Sequence, residues 1–187
     1  MIRSSGFYKY AWSPIEGCNQ GCTYCYARAE IEKIGNDFNK PQFFEERLVE
    51  PSQVKPCRIF VNHLSDIMGS WVPADWIKKV INVCRLLPAH EFIFMTKSPK
   101  RYFEFSFPDN CILGVTIETP EQWHRAEIME GITNRKMCSC EPILGSFRGY
   151  DFSQFEFVVI GGLMGVKSNH KLFRTVKHPV IYRKYKS

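Results

Sequence analysis

The chain has 187 residues, 44% of them apolar and 14% aromatic, with a formal net charge of +6. That make-up suits one globular domain with a full hydrophobic core, and no apolar window reaches the 18 residues of a membrane span. The start, MIRSSGFYKYAWS, has neither an apolar h-region nor a small-residue cleavage site, so the expected compartment is the cytosol and disulfides are not expected there.

Six apolar, β-rich runs follow one another along the chain: Tyr8–Ile15, Arg58–Leu64, Phe92–Thr96, Ile112–Glu118, Lys136–Pro142 and Phe157–Gly162. Several are nearly continuous in apolar residues, as strands covered on both faces require. Helical patterns lie between them. Cys25–Ile34 reads as a helix stopped by Gly35. Over residues 73–87, Trp76, Ile77, Val80, Ile81, Cys84 and Leu87 fall on one face, with Pro73 in the first turn. Ser98-Pro99 opens a shorter helix, and Thr119-Pro120-Glu121-Gln122 reads as a capping box for a helix to about Ile132. Residues 36–56 carry no assignable pattern beyond a short helix or lid, and a strand at Val180–Tyr182 is allowed but not demanded.

Alternation of this kind implies βαβ units and a parallel sheet. A closed eight-stranded barrel needs about 250 residues, so the expected fold is α/β, a partial, open parallel β/α barrel of about six strands. The expected division is a barrel core over 1–162 and a basic segment over 163–187. That segment carries seven Lys or Arg and no acid, while the rest of the chain sums to −1. A basic excess gathered in one place suits a polyanion such as nucleic acid; a solvated tail is the plainer reading. The oligomeric state is left open.

Three of the eight cysteines, Cys18, Cys22 and Cys25, fall within eight residues as C-x3-C-x2-C, between the first strand and the first helix. Structural zinc takes four ligands, usually as two pairs a dozen or more residues apart, and no second pair of that kind follows. Cys138 and Cys140 have C-x-C spacing, although either offers a fourth thiolate. Ferredoxin-type clusters supply four thiolates, and their local run is C-x2-C-x2-C. Three thiolates on a four-iron cluster leave one iron open, at the carboxyl end of a strand where α/β folds bind ligands. The histidines (His63, His90, His124, His170, His178) form no ligand spacing. Polar residues stand at the carboxyl end of each later run: Asn62-His63-Leu64-Ser65-Asp66, Thr96-Lys97, Thr116-Ile117-Glu118, Ser139-Cys140-Glu141 and Gly161-Gly162. In parallel barrels this rim is where reaction sites collect.

C-x3-C-x-aromatic-C, with Tyr24 as the aromatic residue, resembles the signature of the radical S-adenosylmethionine (SAM) superfamily. The stretches WSPIEGC, CTYCYA, IFVNHLSDIM, FMTKSPKR, LGVTIET, CSCEPILG and VVIGG, in order over residues 12–162, are similar to a narrower group of phage-associated, uncharacterised radical-SAM-like proteins. Beyond Gly162 that group continues with a longer acidic and glycine-rich segment, where this chain carries Leu163–Ser187.

The resemblance implies a [4Fe–4S] cluster on Cys18, Cys22 and Cys25, and S-adenosyl-L-methionine bound through its amino and carboxylate groups at the open iron. It implies an external electron donor of flavodoxin or ferredoxin type, and a 5′-deoxyadenosyl radical that abstracts hydrogen from a substrate. Carried over by position, Tyr24 lies beside the adenine, Ser65 and Asp66 take the ammonium, Thr116 and Glu118 bond the ribose, and Asn62 is a further cofactor-binding residue. The superfamily's usual Gly-Gly-Glu at the second strand is absent. Glu141 and Lys97 contact SAM or substrate. Cys140 is a candidate hydrogen-atom donor, with packing as its plainer reading. The substrate suggested by the basic tail is a nucleic acid or nucleotide, for modification or repair. The open alternative is an iron–sulfur or zinc-stabilised nucleic-acid-binding protein without SAM cleavage.

Overall fold

Short β-branched and aromatic runs that cannot bury both faces alone are stabilised by stacking side by side under helices. The structure, a computed structural model, describes residues 6–162 and the backbone of 180–183. The strands are β1 (Tyr10–Trp12), β2 (Ile15–Glu16), β3 (Gln42–Phe43), β4 (Arg58–Val61), β5 (Glu91–Thr96), β6 (Cys111–Thr116), β7 (Arg135–Cys140), β8 (Phe157–Ile160) and β9 (Val180–Arg183). Helices α1 (Tyr26–Lys33), α2 (Ala74–Leu86) and α3 (His124–Met129) lie between them.

The main sheet runs β1-β4-β5-β6-β7-β8-β9. Its first six strands are mutually parallel, and β9 closes the edge antiparallel to β8. The α/β class and the six-stranded open parallel sheet are therefore as the sequence implied. β9 draws part of the basic segment into the sheet. Lys167, Lys171, Arg174, Lys177, Lys184 and Lys186 lie outside the described residues. No helix among the described residues is long and apolar enough to cross a membrane.

Strand alternation divides the core in two. One face sends Ile59, Val61, Phe92, Phe94, Leu113, Val115 and Cys138 into a cluster with Ile77, Val80, Ile81 and Cys84 of α2. The residues one step out of phase, Ile93, Ile112, Met137, Phe157 and Val159, pack with Phe7 on the other face, flanked by Tyr8, Phe60 and Met95. Each fully buried aliphatic or aromatic side chain of this kind contributes about 1.5–3 kcal/mol. The central strand β6 is buried along its whole length.

Several expected boundaries shift. The first run is not one strand. It breaks at Ser13-Pro14, since proline cannot donate to a ladder, and Arg47 takes the Ser13 carbonyl at 3.0 Å. Beyond the break, β2 pairs antiparallel with β3, so residues 36–56 supply a strand and a 3₁₀ segment, Glu45–Gln53. Pro73 caps α2 from outside, with ψ at 138°, instead of sitting in its first turn. The Thr119/Gln122 capping box forms, but it opens a 3₁₀ turn over Pro120–Gln122 ahead of a short α3.

Candidate active site at the carboxyl rim of the sheet

The loop from Gly17 to Cys25 is folded against the ends of β4 and α1 by its backbone. Gly17 N–H donates to Leu64 O at 3.2 Å, and Cys18 N–H to Phe38 O at 2.8 Å. Ser65 Oγ donates to Gly17 O at 2.6 Å. Gly17 itself has φ +89°, and a Cβ there would stand 2.9 Å from Phe38 O, so a side chain is excluded on both counts. Cys25 caps α1 at its N-terminus.

Cys18, Cys22 and Cys25 all line one cavity of about 500 Å³, a size ordinary for a cofactor or substrate site. Burial pushes the thiols of Cys18 and Cys22 up, while Lys97 pulls that of Cys22 the other way. The other five cysteines are absent from this wall. Among the described residues, no three His, Cys, Asp or Glu side chains form a group that could hold a metal ion.

The rim of β4 and β5 supplies the polar wall. Asn62 leaves β4 with φ 57°, a left-handed conformation that asparagine tolerates better than most residues. Its Oδ1 accepts from Ile15 N–H at 3.4 Å, while its buried Nδ2 has no acceptor among the described residues. Asp66 is buried and accepts three hydrogen bonds: Thr96 Oγ1 at 2.6 Å, Lys97 N at 2.9 Å and Met68 N at 3.1 Å. Desolvation nevertheless holds its carboxyl above the usual range. Ser65, Thr116, Tyr24 and Glu141 line the cavity with them. The register sets Thr116 beside Ser139 on the cavity face.

Two sequence assignments meet a different geometry. Glu118 does not line the cavity. It is 1% exposed, and its carboxylate accepts from Tyr24 OH, from Lys97 Nζ at 2.8 Å and from Arg125 Nη1 at 3.0 Å. Its carboxylate faces these three protein partners and not the cavity, so a ribose held in the cavity would not meet it there. Burial raises the Glu118 carboxyl, and Lys97, Tyr24 and Arg125 together more than reverse that, leaving it below the usual carboxylate range.

Cys140 is the second. Alternation turns it, with Cys138, to the helix-covered face, where the two Sγ atoms lie 4.0 Å apart in the core. Ser139, between them, faces the cavity instead. Cys140 is 1% exposed within the core and does not line the cavity, a placement that agrees with its plainer reading as a packing residue.

The structure also brings in residues that the sequence did not single out. His63 lines the cavity with Nδ1 2.7 Å from Ser13 Oγ, and burial lowers its pKa. Tyr26 OH donates to His63 O at 2.8 Å. Tyr8, Phe60 and Met95 complete the wall. Arg125, on α3, holds both Glu118 and the Thr116 carbonyl.

Residues 5–174 match the family described as a protein of unknown function, DUF5131. The chain belongs to that family. No curated protein and no solved structure matches it.

Proposed function

We propose that this DUF5131 protein is a radical SAM enzyme, with Cys18, Cys22 and Cys25 holding a [4Fe–4S] cluster and S-adenosyl-L-methionine bound beside it. The observation that carries the reading is that three thiols in C-x3-C-x2-C spacing line one cavity at the carboxyl rim of a parallel sheet, with no other cysteine in that wall. The donor set fits the group. Each thiolate of a cubane cluster binds a different iron, so the three need not converge as they would on one ion, and three thiolates leave one iron for a ligand from outside the chain. The buried, unpaired Asn62 Nδ2 at the same wall is a donor in want of an acceptor.

The chemistry supplied there is one-electron cleavage of SAM to methionine and a 5′-deoxyadenosyl radical, which takes a hydrogen atom from the substrate. The chain's own residues bind and orient. Asp66 is fixed through three hydrogen bonds and keeps acceptor capacity for an ammonium. Ser65 ties the cysteine loop to β4 and retains lone pairs of its own. Thr116 offers a hydroxyl to a ribose. Tyr24 is oriented by Glu118 and stands where an adenine would pack. The partners proposed with this reading are a flavodoxin or ferredoxin as electron donor, and a nucleic acid or nucleotide as substrate, met in part by the basic segment.

The test is direct. Anaerobically reconstituted protein, reduced in the presence of SAM, is expected to release 5′-deoxyadenosine. None above background, with the cluster intact, rejects the enzymatic reading. Zinc without iron or sulfide after anaerobic purification would favour a zinc-stabilised binding protein.

A further inference from the structure

One side of the cavity wall is aromatic and, Glu141 apart, has no part in the cofactor reading. Tyr8 and Phe60 stand stacked in its wall, with ring centroids 5.2 Å apart and planes 22° from parallel. Phe7 closes that wall edge-on, 4.9 Å from Tyr8 and 5.9 Å from Phe60. Glu141, just past the end of β7, lines the same cavity. Gly161 makes room for it, because a Cβ there would stand 2.6 Å from Glu141 Cδ.

Among the described residues Glu141 has no charged or hydrogen-bonding partner, and burial alone holds its carboxyl above the usual range. Burial, and after it the charge of Glu141, raises the hydroxyl pKa of Tyr8. A partly buried carboxylate without a protein partner is free to accept N–H donors from a ligand, and hydrogen bonds to a charged acceptor are the stronger kind. A flat aromatic wall favours a flat π-system.

The charges say what such a ligand is not. The acidic residues lining the cavity are Glu30, Asp66 and Glu141; its one lysine, Lys97, is committed to Glu118 at 2.8 Å. Among the described residues that line the cavity, none offers a phosphate a free cation. Gly162 lines the cavity, and the 25 residues that follow it in the sequence carry +7.

We infer that this side of the cavity is a substrate subsite for a nucleobase, packed against the Tyr8–Phe60 wall with its N–H edge donated to Glu141 and its phosphates left outside. Guanine fits best, because its adjacent N1–H and N2–H groups face both oxygens of one carboxylate. The inference rests on the cysteine loop being the radical centre, which sets the reaction beside this subsite.

Calorimetric titration of the full chain tests it. Guanosine is expected to bind saturably, and 1-methylguanosine, which lacks the N1–H donor, to bind roughly tenfold or more weakly, the worth of one charge-assisted hydrogen bond. Glu141→Leu is expected to weaken guanosine by a similar factor. Saturating S-adenosylhomocysteine is expected to leave guanosine binding unchanged. Equal binding of the two nucleosides overturns the assignment, and so does competition by S-adenosylhomocysteine, which would make the wall the cofactor's own adenosine site. Binding of agmatine without any nucleoside would mark a cation site and overturn it as well. Guanosine binding without 5′-deoxyadenosine formation rejects the radical chemistry and keeps the base site; the converse rejects the base site alone.

Discussion

Glu118 and Glu141 follow the ends of neighbouring parallel strands, β6 and β7, and their surroundings are opposite. Glu118 accepts from a tyrosine, a lysine and an arginine, and those partners hold its carboxyl below the ordinary value despite burial. Glu141 is partly buried with no partner among the described residues, and burial raises its carboxyl. One carboxylate is part of the frame: it fixes Tyr24 and Lys97 beside Cys22 and ties α3 to the rim. The other is left facing a cavity. The contrast separates a half of the site that is built before any ligand arrives from a half that a ligand completes.

The largest expected effect lies on the built side. Cys18→Ala, Cys22→Ala and Cys25→Ala are each expected to abolish the brown iron–sulfur absorption of the reconstituted protein, whereas Cys140→Ala, in the core behind the strand, is expected to retain it. Full absorption in any one of the three would remove that cysteine from the ligand set. Loss of absorption in Cys140→Ala, with the fold intact by circular dichroism, would return that thiol to the site.

Next in size is Glu118→Gln. It leaves Lys97 and Arg125, with side chains 17% and 14% exposed, facing a neutral amide, and removing one member of a buried ion pair costs about 3–5 kcal/mol. Urea unfolding at neutral pH is expected to show a loss of about 3 kcal/mol. The sign with pH follows from the lowered carboxyl. Its contribution is present above the unfolded value of 4.5 and is lost as pH falls through the lower folded value. The two proteins should therefore converge only in acid. A variant within about 0.5 kcal/mol of wild type at neutral pH would show that the three partners do not depend on the charge.

The built side was also the more legible one. C-x3-C-x2-C is a local spacing, so it can be read without a structure. The six long runs were legible too, because parallel strands buried on both faces have to be apolar throughout. What stayed hidden depends on register and on distant partners. Alternation said that Cys138 and Cys140 share a face, but not which face, and the pairing of Thr116 with Ser139 decided it. Glu118 could be seen at a strand end. Its capture by Lys97 from the neighbouring strand and by Arg125 from the next helix could not, since neither partner carries a local signal. Two-residue strands such as β2 and β3 have no periodicity to read. Tyr8 precedes β1, Phe60 lies within β4 and Glu141 follows β7, so the three meet only in the folded chain.

The smallest expected effect tests the unpartnered side directly. Because the Glu141 carboxyl is raised, its ionised form is disfavoured in the fold. Stability is then fully present below the unfolded value of 4.5 and is lost as pH rises through the folded value. Glu141→Gln removes that cost without removing the bulk of the side chain. It is expected to stabilise the protein by a fraction of a kcal/mol at neutral pH, with the gain vanishing in acid, where wild-type Glu141 is protonated. The effect is opposite in sign to that of Glu118→Gln, although both vanish in acid, so paired urea titrations from neutral to acid pH separate the two carboxylates without any assumption about the reaction. Destabilisation by Glu141→Gln at neutral pH would mean that Glu141 already has a donor in the unliganded protein, and the distinction between a built half and a ligand-completed half would fall.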